Sequence, residues 1–187
     1  ERAEAFLHSG ARDTYLHSRL AMRHILGGYQ GMDPAAVRFD SGPHGKPYLG
    51  ISGTDLRFNL THCGRLCLLA VTRGLEVGLD AEQIRERRGM EGIAARMFQA
   101  RQLEELKSLP ERERLPLFYL YWTRMEAMVK ARGGGLFADD ARKLPALPHV
   151  CFIPHPGFQA CVATDGPCPS AGEWRTLMFR AESWQEG

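Results

Sequence analysis

The sequence predicts an α+β fold, and three observations carry that expectation. Apolar residues recur at helical spacing near the N-terminus and again in a long segment that ends in three glycines. Between and after these segments stand short runs rich in branched and aromatic residues, separated by Gly/Pro turns. No repeat or low-complexity segment interrupts them. The 187 residues suffice for one domain, or for two small halves that share a core.

The elements follow in order. Residues 12–30, RDTYLHSRLAMRHILGGYQ, carry Tyr15, Leu16, Leu20, Met22, Ile25 and Leu26 at helical spacing, and Gly27-Gly28 is expected to stop or fray that helix. MDPAAVRF reads as a short helical turn followed by a strand. SGPHGKPYLG is turn chemistry, with Pro47 holding Lys46 extended. LRFNLTHC is a strand. RLCLLAVT is a second, so continuously apolar that burial on both faces is expected. LEVGLDAE is a third. A helical segment from about 92 to 108 ends at Pro110. A long helix from Glu111 to Arg132 follows, with Leu117, Phe118, Leu120, Tyr121, Met125 and Val129 on its apolar side. Pro116 is expected to delay its start or kink it, and Gly133-Gly134-Gly135 to cap it. HVCFIP, FQACVAT and EWRTLMF read as three final strands.

Composition narrows the classes. A net charge of +2 is too small to argue for nucleic acid or a membrane surface, and no apolar run reaches membrane-spanning length. The first residue is Glu1 rather than Met, as expected where a start, tag or leader has been removed, and nothing in the remaining sequence looks like a signal peptide. Five cysteines without a dense framework favour reduced thiols in a cytoplasm. His62, Cys63 and Cys67 raise a zinc site but lack a second ligand pair, and the plain reading of Cys67 is a small buried apolar residue.

The chemistry-bearing residues come next. Asp80 and Glu82 stand two apart on a strand, so both carboxylates share one face. Two adjacent carboxylates repel, and a cation would join them; the alternative is a strand end running into solvent. Trp122, Glu126 and Lys130 fall four apart, on one helix face. Glu126 offers a third carboxylate, and three oxygen ligands suit Mg²⁺; the alternative is a surface Glu–Lys pair. Gly45-Lys46 after a flexible turn, Thr61-His62 at a strand end, and Lys130 beside Glu126 could together hold phosphates around such an ion; taken singly they read more simply as a hairpin lysine, a core or surface histidine and a helix-face lysine.

GKP, FNLTHC, VGLDAE and WTRMEAMVKARGGGL occur in the order and approximate spacing of the Sfp-type 4′-phosphopantetheinyl transferases, and Arg19, Arg23 and Leu26 fit the pattern that precedes GKP. The chain resembles that family over nearly its whole length. The resemblance implies two similar α+β halves related by a pseudo-twofold axis, here about 1–76 and 77–187, with coenzyme A in the cleft between them. It implies transfer of the phosphopantetheine arm of coenzyme A onto a serine of an apo acyl or peptidyl carrier protein, with release of adenosine 3′,5′-bisphosphate. Asp80, Glu82 and Glu126 match the family's Mg²⁺ ligands, and Lys130 its lysine near the phosphates. His62, with Thr61, matches the phosphate-contacting histidine motif; Gly45, Lys46 and Pro47 match the adenine-nucleotide loop. Arg12, Arg19 and Arg23 are candidates for the 3′-phosphate. Glu126 is the first candidate for the base that activates the carrier serine, and Glu82 the alternative. A cytoplasmic monomer is expected, with no nucleic-acid or membrane partner.

Four positions, in three of the motifs, depart from the family pattern. Thr61 and Cys63 replace serines, Ala81 replaces a branched residue, and Met125 replaces the lysine that precedes the motif glutamate. Met125 motivates one rival class, a catalytically weak coenzyme A-binding protein, and the three acids motivate another, a Mg²⁺-dependent nucleotide diphosphate hydrolase. For the carrier, Arg85, Arg87, Arg88, Arg96 and Arg101 beside Ile93, Met97 and Phe98 suggest a basic rim around an apolar centre; the alternative is a solvated amphipathic helix.

Overall fold

The computed structural model describes residues 9–64, 66–135 and 145–175. Mixed helices and small antiparallel sheets make the fold α+β, as expected. Cα proximity divides the chain into two compact units, residues 1–38 with 170–187 and residues 39–169.

The first unit contains helix α1, Ser9–Gln30, and a 3₁₀ turn at Pro34–Ala36. Contrary to the sequence expectation, α1 runs through Gly27-Gly28. A Cβ on Gly27 would lie 2.9 Å from the Met32 carbonyl oxygen, so that glycine serves close packing, and the helix ends at Gly31 with φ +64°. Met22 and Leu26 are buried, whereas Leu16 and Leu20 are exposed.

The second unit opens with a short hairpin, β1 (Phe39–Ser41) on β2 (Pro47–Leu49). The long hairpin β3 (Leu56–Cys63) and β4 (Leu66–Arg73) follows, then β5 (Val77–Gln83). β4 is only half-buried, and Cys67 is exposed, against the expectation for both. Among the described residues β4 pairs with β3 alone, so one of its edges has no strand to cover it.

The segment expected as one helix is two, α2 (Met90–Met97) and α3 (Ala100–Ser108). A capping box between Gln99 and Gln102 starts a new helix at the break. Phe98 at the break is 2 % exposed and Met97 is also buried, so two of the three apolar residues of the expected docking centre are core; Ile93 is half-buried, and the arginines around it are exposed.

Helix α4 spans Glu111–Ala131 without interruption at Pro116. Gly133 adopts φ +67°, its N–H donates to Lys130 O, and the Gly134 N–H donates to Val129 O, which closes the helix in a Schellman motif. The N-terminal half of α4 packs Phe118, Tyr119, Tyr121, Trp122 and Met125 with α2 and α3. Its C-terminal half lays Ala127 and Ala131 on β7 (Phe158–Thr164), which lies between β5 and β6 (His149–Phe152) in a three-stranded antiparallel sheet. The last expected strand, EWRTLMF, begins in a 3₁₀ turn at Ala171–Glu173, and from residue 176 it lies outside the described residues. Among the described residues no helix is long and apolar enough to cross a membrane.

Candidate functional site

Asp80 and Glu82 project from one face of β5, and α4 crosses that face. The approach is possible because residue 78 has no side chain. A Cβ there would lie 1.9 Å from Ala127 O and 2.3 Å from Ala131 N, so α4 rests its backbone directly on β5. Ala127 and Ala131, 0 % and 1 % exposed, keep the contact flat. Lys130 Nζ then donates to Asp80 Oδ1 at 2.6 Å and stands 3.9 Å from Glu126 Oε2.

This is a carboxylate cluster partly compensated by one ammonium. Burial, opposed by Lys130, raises the Asp80 carboxyl above its usual range. Thr61, buried on β3, faces the same carboxylate and favours its charged form, yet the buried Oδ2 has no hydrogen bond of ordinary geometry. Burial also pushes Glu126 up to about 7, reinforced by Asp80 and Glu82 and resisted by Lys130 and Arg87. The surface-pair reading of Glu126 and Lys130 therefore fails: the Glu126 side chain is 16 % exposed and that of Lys130 31 %. Among the described residues, no three acids, histidines or cysteines close into a ready-made metal site. Lys130 holds the cationic place beside Asp80 and Glu126.

The raised carboxyl at 126 has a thermodynamic consequence. The folded protein keeps the Glu126 proton up to about pH 7, while the unfolded chain releases it near the ordinary 4.5. Stability from this group is complete below 4.5 and is lost as pH rises to 7, by about 3 kcal/mol. Urea unfolding in the presence of a chelator should show that decline between pH 4.5 and 7.5 and a flatter profile for Glu126→Gln. Equal slopes for the two proteins would remove Glu126 as the cause.

β3 is held beside β5 by side chains. Asn59 Oδ1 accepts from the Leu79 N–H at 2.9 Å, and Cys63 Sγ accepts from the Gln83 N–H at 3.2 Å. The Cys63 thiol also lies 3.7 Å from Glu82 Oε2, within reach of a weak S–H donor. Neither clamp was foreseen from the sequence; the signal available was one buried-strand asparagine in FNLTHC. His62 is exposed on the opposite side of β3 from Thr61.

Lys46 lies elsewhere in this unit. Its Nζ donates to Glu76 Oε2 at 2.7 Å and to the Ala131 carbonyl at 3.1 Å, so it caps the C-terminal end of α4. Gly45 holds φ +80° in the β1–β2 turn, and Pro47 starts β2. In the first unit, Arg23 donates to the Val37 and Pro34 carbonyls, and Arg19 lies over the Tyr15 ring. Arg12 is in α1, with its side chain outside the described residues.

Met125 does not face the carboxylates. It is 7 % exposed within the α2–α4 cluster, beside a cavity of about 180 Å³ lined also by Met97, Tyr121 and Met128. Arg124, its neighbour, lies over the Tyr121 ring at 4.9 Å.

A family model for the 4′-phosphopantetheinyl transferase superfamily matches residues 76–160, which span β5, α4 and the start of β7. The 4′-phosphopantetheinyl transferase psf-1 of Bacillus pumilus is 30% identical over 174 residues, covering 84% of this chain and 72% of that protein. The chain belongs to this superfamily. The 4′-phosphopantetheinyl transferase HetI of Nostoc sp. is 39% identical over 137 residues, 72% of this chain and 58% of its own. The 4′-phosphopantetheinyl transferase AcpT of Salmonella typhi is 39% identical over 93 residues, 50% of this chain and 48% of its own. Against HetI the chain thus spans somewhat less than two thirds of its relative's length. The superfamily match contains all three carboxylates, Lys130 and the glycine at 78 that brings them together.

Proposed function

We propose that this protein transfers the 4′-phosphopantetheine arm of coenzyme A to a serine of an apo acyl or peptidyl carrier protein, releasing adenosine 3′,5′-bisphosphate. The observation that carries this is the Asp80–Glu82–Glu126–Lys130 cluster, inside the segment that matches the superfamily. The boundary between the two expected halves, at 76/77, falls just before β5. The β3–β5 seam, tied by Asn59 and Cys63, is where we place the diphosphate.

The donor set suits Mg²⁺. It is all-oxygen, Asp80 leaves a buried oxygen without a hydrogen bond, and burial makes Asp80 and Glu126 costly to ionise without a cation, with repulsion from Asp80 and Glu82 adding to the cost at Glu126. Asp80, Glu82 and Glu126 would hold the ion, which when bound neutralises charge on the diphosphate. Lys130 binds phosphate oxygens from the α4 side, and His62, on the face of β3 turned away from Thr61, is left to contact a phosphate outside the carboxylate cluster. Gly45, Lys46 and Pro47 form the nucleotide end. Glu126 accepts the proton of the carrier serine, with Glu82 the alternative, as the serine oxygen forms its bond to the pantetheine-side phosphorus. The bond from that phosphorus to the bridging oxygen breaks, and adenosine 3′,5′-bisphosphate leaves with the electron pair. Such a reaction needs positioning and charge neutralisation more than a covalent intermediate. The same reading takes the protein as a cytoplasmic monomer.

Incubation with coenzyme A, Mg²⁺ and an apo acyl carrier protein, followed by intact-mass measurement of the carrier, tests this. A carrier heavier by one phosphopantetheine, with Glu126→Ala silent, is expected. Bisphosphate released without any carrier would indicate a hydrolase instead, and coenzyme A binding without turnover a binding protein.

A further inference from the structure

The three-stranded sheet also carries a cysteine pair that the transferase reading does not use. Asp80, Cys161 and Cys151 are register partners across β5, β7 and β6, so their side chains stand in one row on one sheet face. Cys151 Sγ and Cys161 Sγ are 2.9 Å apart. Directly opposed residues of an antiparallel pair have Cα atoms about 4.5–5.5 Å apart, which lies within the range disulfides span. The sulfurs need to close by only about 0.9 Å to reach bonding distance.

The two thiols are unequal. Cys161 is 0 % exposed and packs with Ala127, Ala131 and Ala163, whereas Cys151 is only partly buried beside Met128 and Leu147. The contact with Cys161 and the Arg124 guanidinium lower the Cys151 thiol against the opposing effect of its burial. One member is thus reachable and nucleophilic, while the other is protected and already in contact with it.

We infer that Cys151 and Cys161 are a reversible redox pair, in which Cys151 is the attacking thiol and Cys161 the resolving one, oxidised by low-molecular-weight disulfides. The Cys151 thiolate attacks one sulfur of the small disulfide, forming a mixed disulfide and expelling one small thiolate. Cys161 then gives up its proton and attacks the Cys151 sulfur, expelling the second small thiolate. Two protein thiols and one small disulfide become one protein disulfide and two small thiols. This inference does not depend on the transferase reading.

The test equilibrates the full chain with oxidised and reduced glutathione at set ratios, traps remaining thiols with iodoacetamide, and maps peptides by mass. Cys151 and Cys161 should lose alkylation together, as one linked peptide pair, and regain it with dithiothreitol. Cys151→Ser should leave Cys161 alkylatable after unfolding at every ratio. Cys161→Ala should stop the same reaction at a Cys151–glutathione mixed disulfide. Both thiols remaining alkylatable at ratios that already modify the exposed Cys67, or a bridge from either to Cys63 or Cys168, would overturn the inference.

Discussion

Replacing Gly78 with alanine should cost this protein at least about 3 kcal/mol of stability, at the upper end of what overpacking a core usually does. The reason is the nature of the obstacles. The new methyl would meet Ala127 O at 1.9 Å and Ala131 N at 2.3 Å, and both are backbone atoms of α4. A flexible side chain could swing aside; a helix backbone moves only as a unit. Relief therefore requires α4 to lift from β5 by an ångström or more. That also stretches the 2.6 Å Lys130–Asp80 contact beyond hydrogen-bond length, so transfer should fall further than the folded fraction does. Urea unfolding measures the first effect and the carrier mass assay the second. A variant within about 0.5 kcal/mol of the parent would mean that α4 does not rest on β5 in this way.

That glycine shows what was and was not legible in the sequence. VGLDAE reads as a strand because its apolar and acidic residues alternate, and β5 is a strand at Val77–Gln83. LRFNLTHC matches β3 residue for residue, and the glycine run after α4 forms the expected cap. Periodicity and turn chemistry are local, so they survive in the sequence. The reason for Gly78 is not local: it is a helix some fifty residues downstream. Cys67 misleads for the same kind of cause. RLCLLAVT is apolar throughout, but which strands flank β4 is decided by topology, and one edge has no partner among the described residues. Met97 and Phe98 look like a surface patch on a single continuous helix. Ending α2 at Met97 and starting α3 at Ala100 turns both inward. The candidate site was legible as residue types at spacings. Its clamps, Asn59 onto Leu79 and Cys63 onto Gln83, depend on which strand lies beside β3.

Asp80→Asn should leave the fold as stable as the parent, or more so, while transfer falls by well over 100-fold. The two halves of that expectation come from one fact. Asp80 has a side chain 7 % exposed, and burial raises its carboxyl despite the Lys130 ammonium, so its charge costs the fold more than its ion pair returns. An asparagine keeps an oxygen for Lys130 Nζ and removes the desolvated charge. A cost of that kind persists where function needs the charge. Losing groups that only orient a metal ligand reduces affinity or activity by about 10–100-fold, so losing Asp80, which the proposed reaction makes a ligand, should exceed that range. Thermal unfolding in chelator gives the stability comparison. Carrier phosphopantetheinylation at saturating coenzyme A gives the rate. If the variant were strongly destabilised and its transfer fell only in proportion to the unfolded fraction, Asp80 would be a structural partner for Lys130. The carboxylate cluster would then not be the reacting centre.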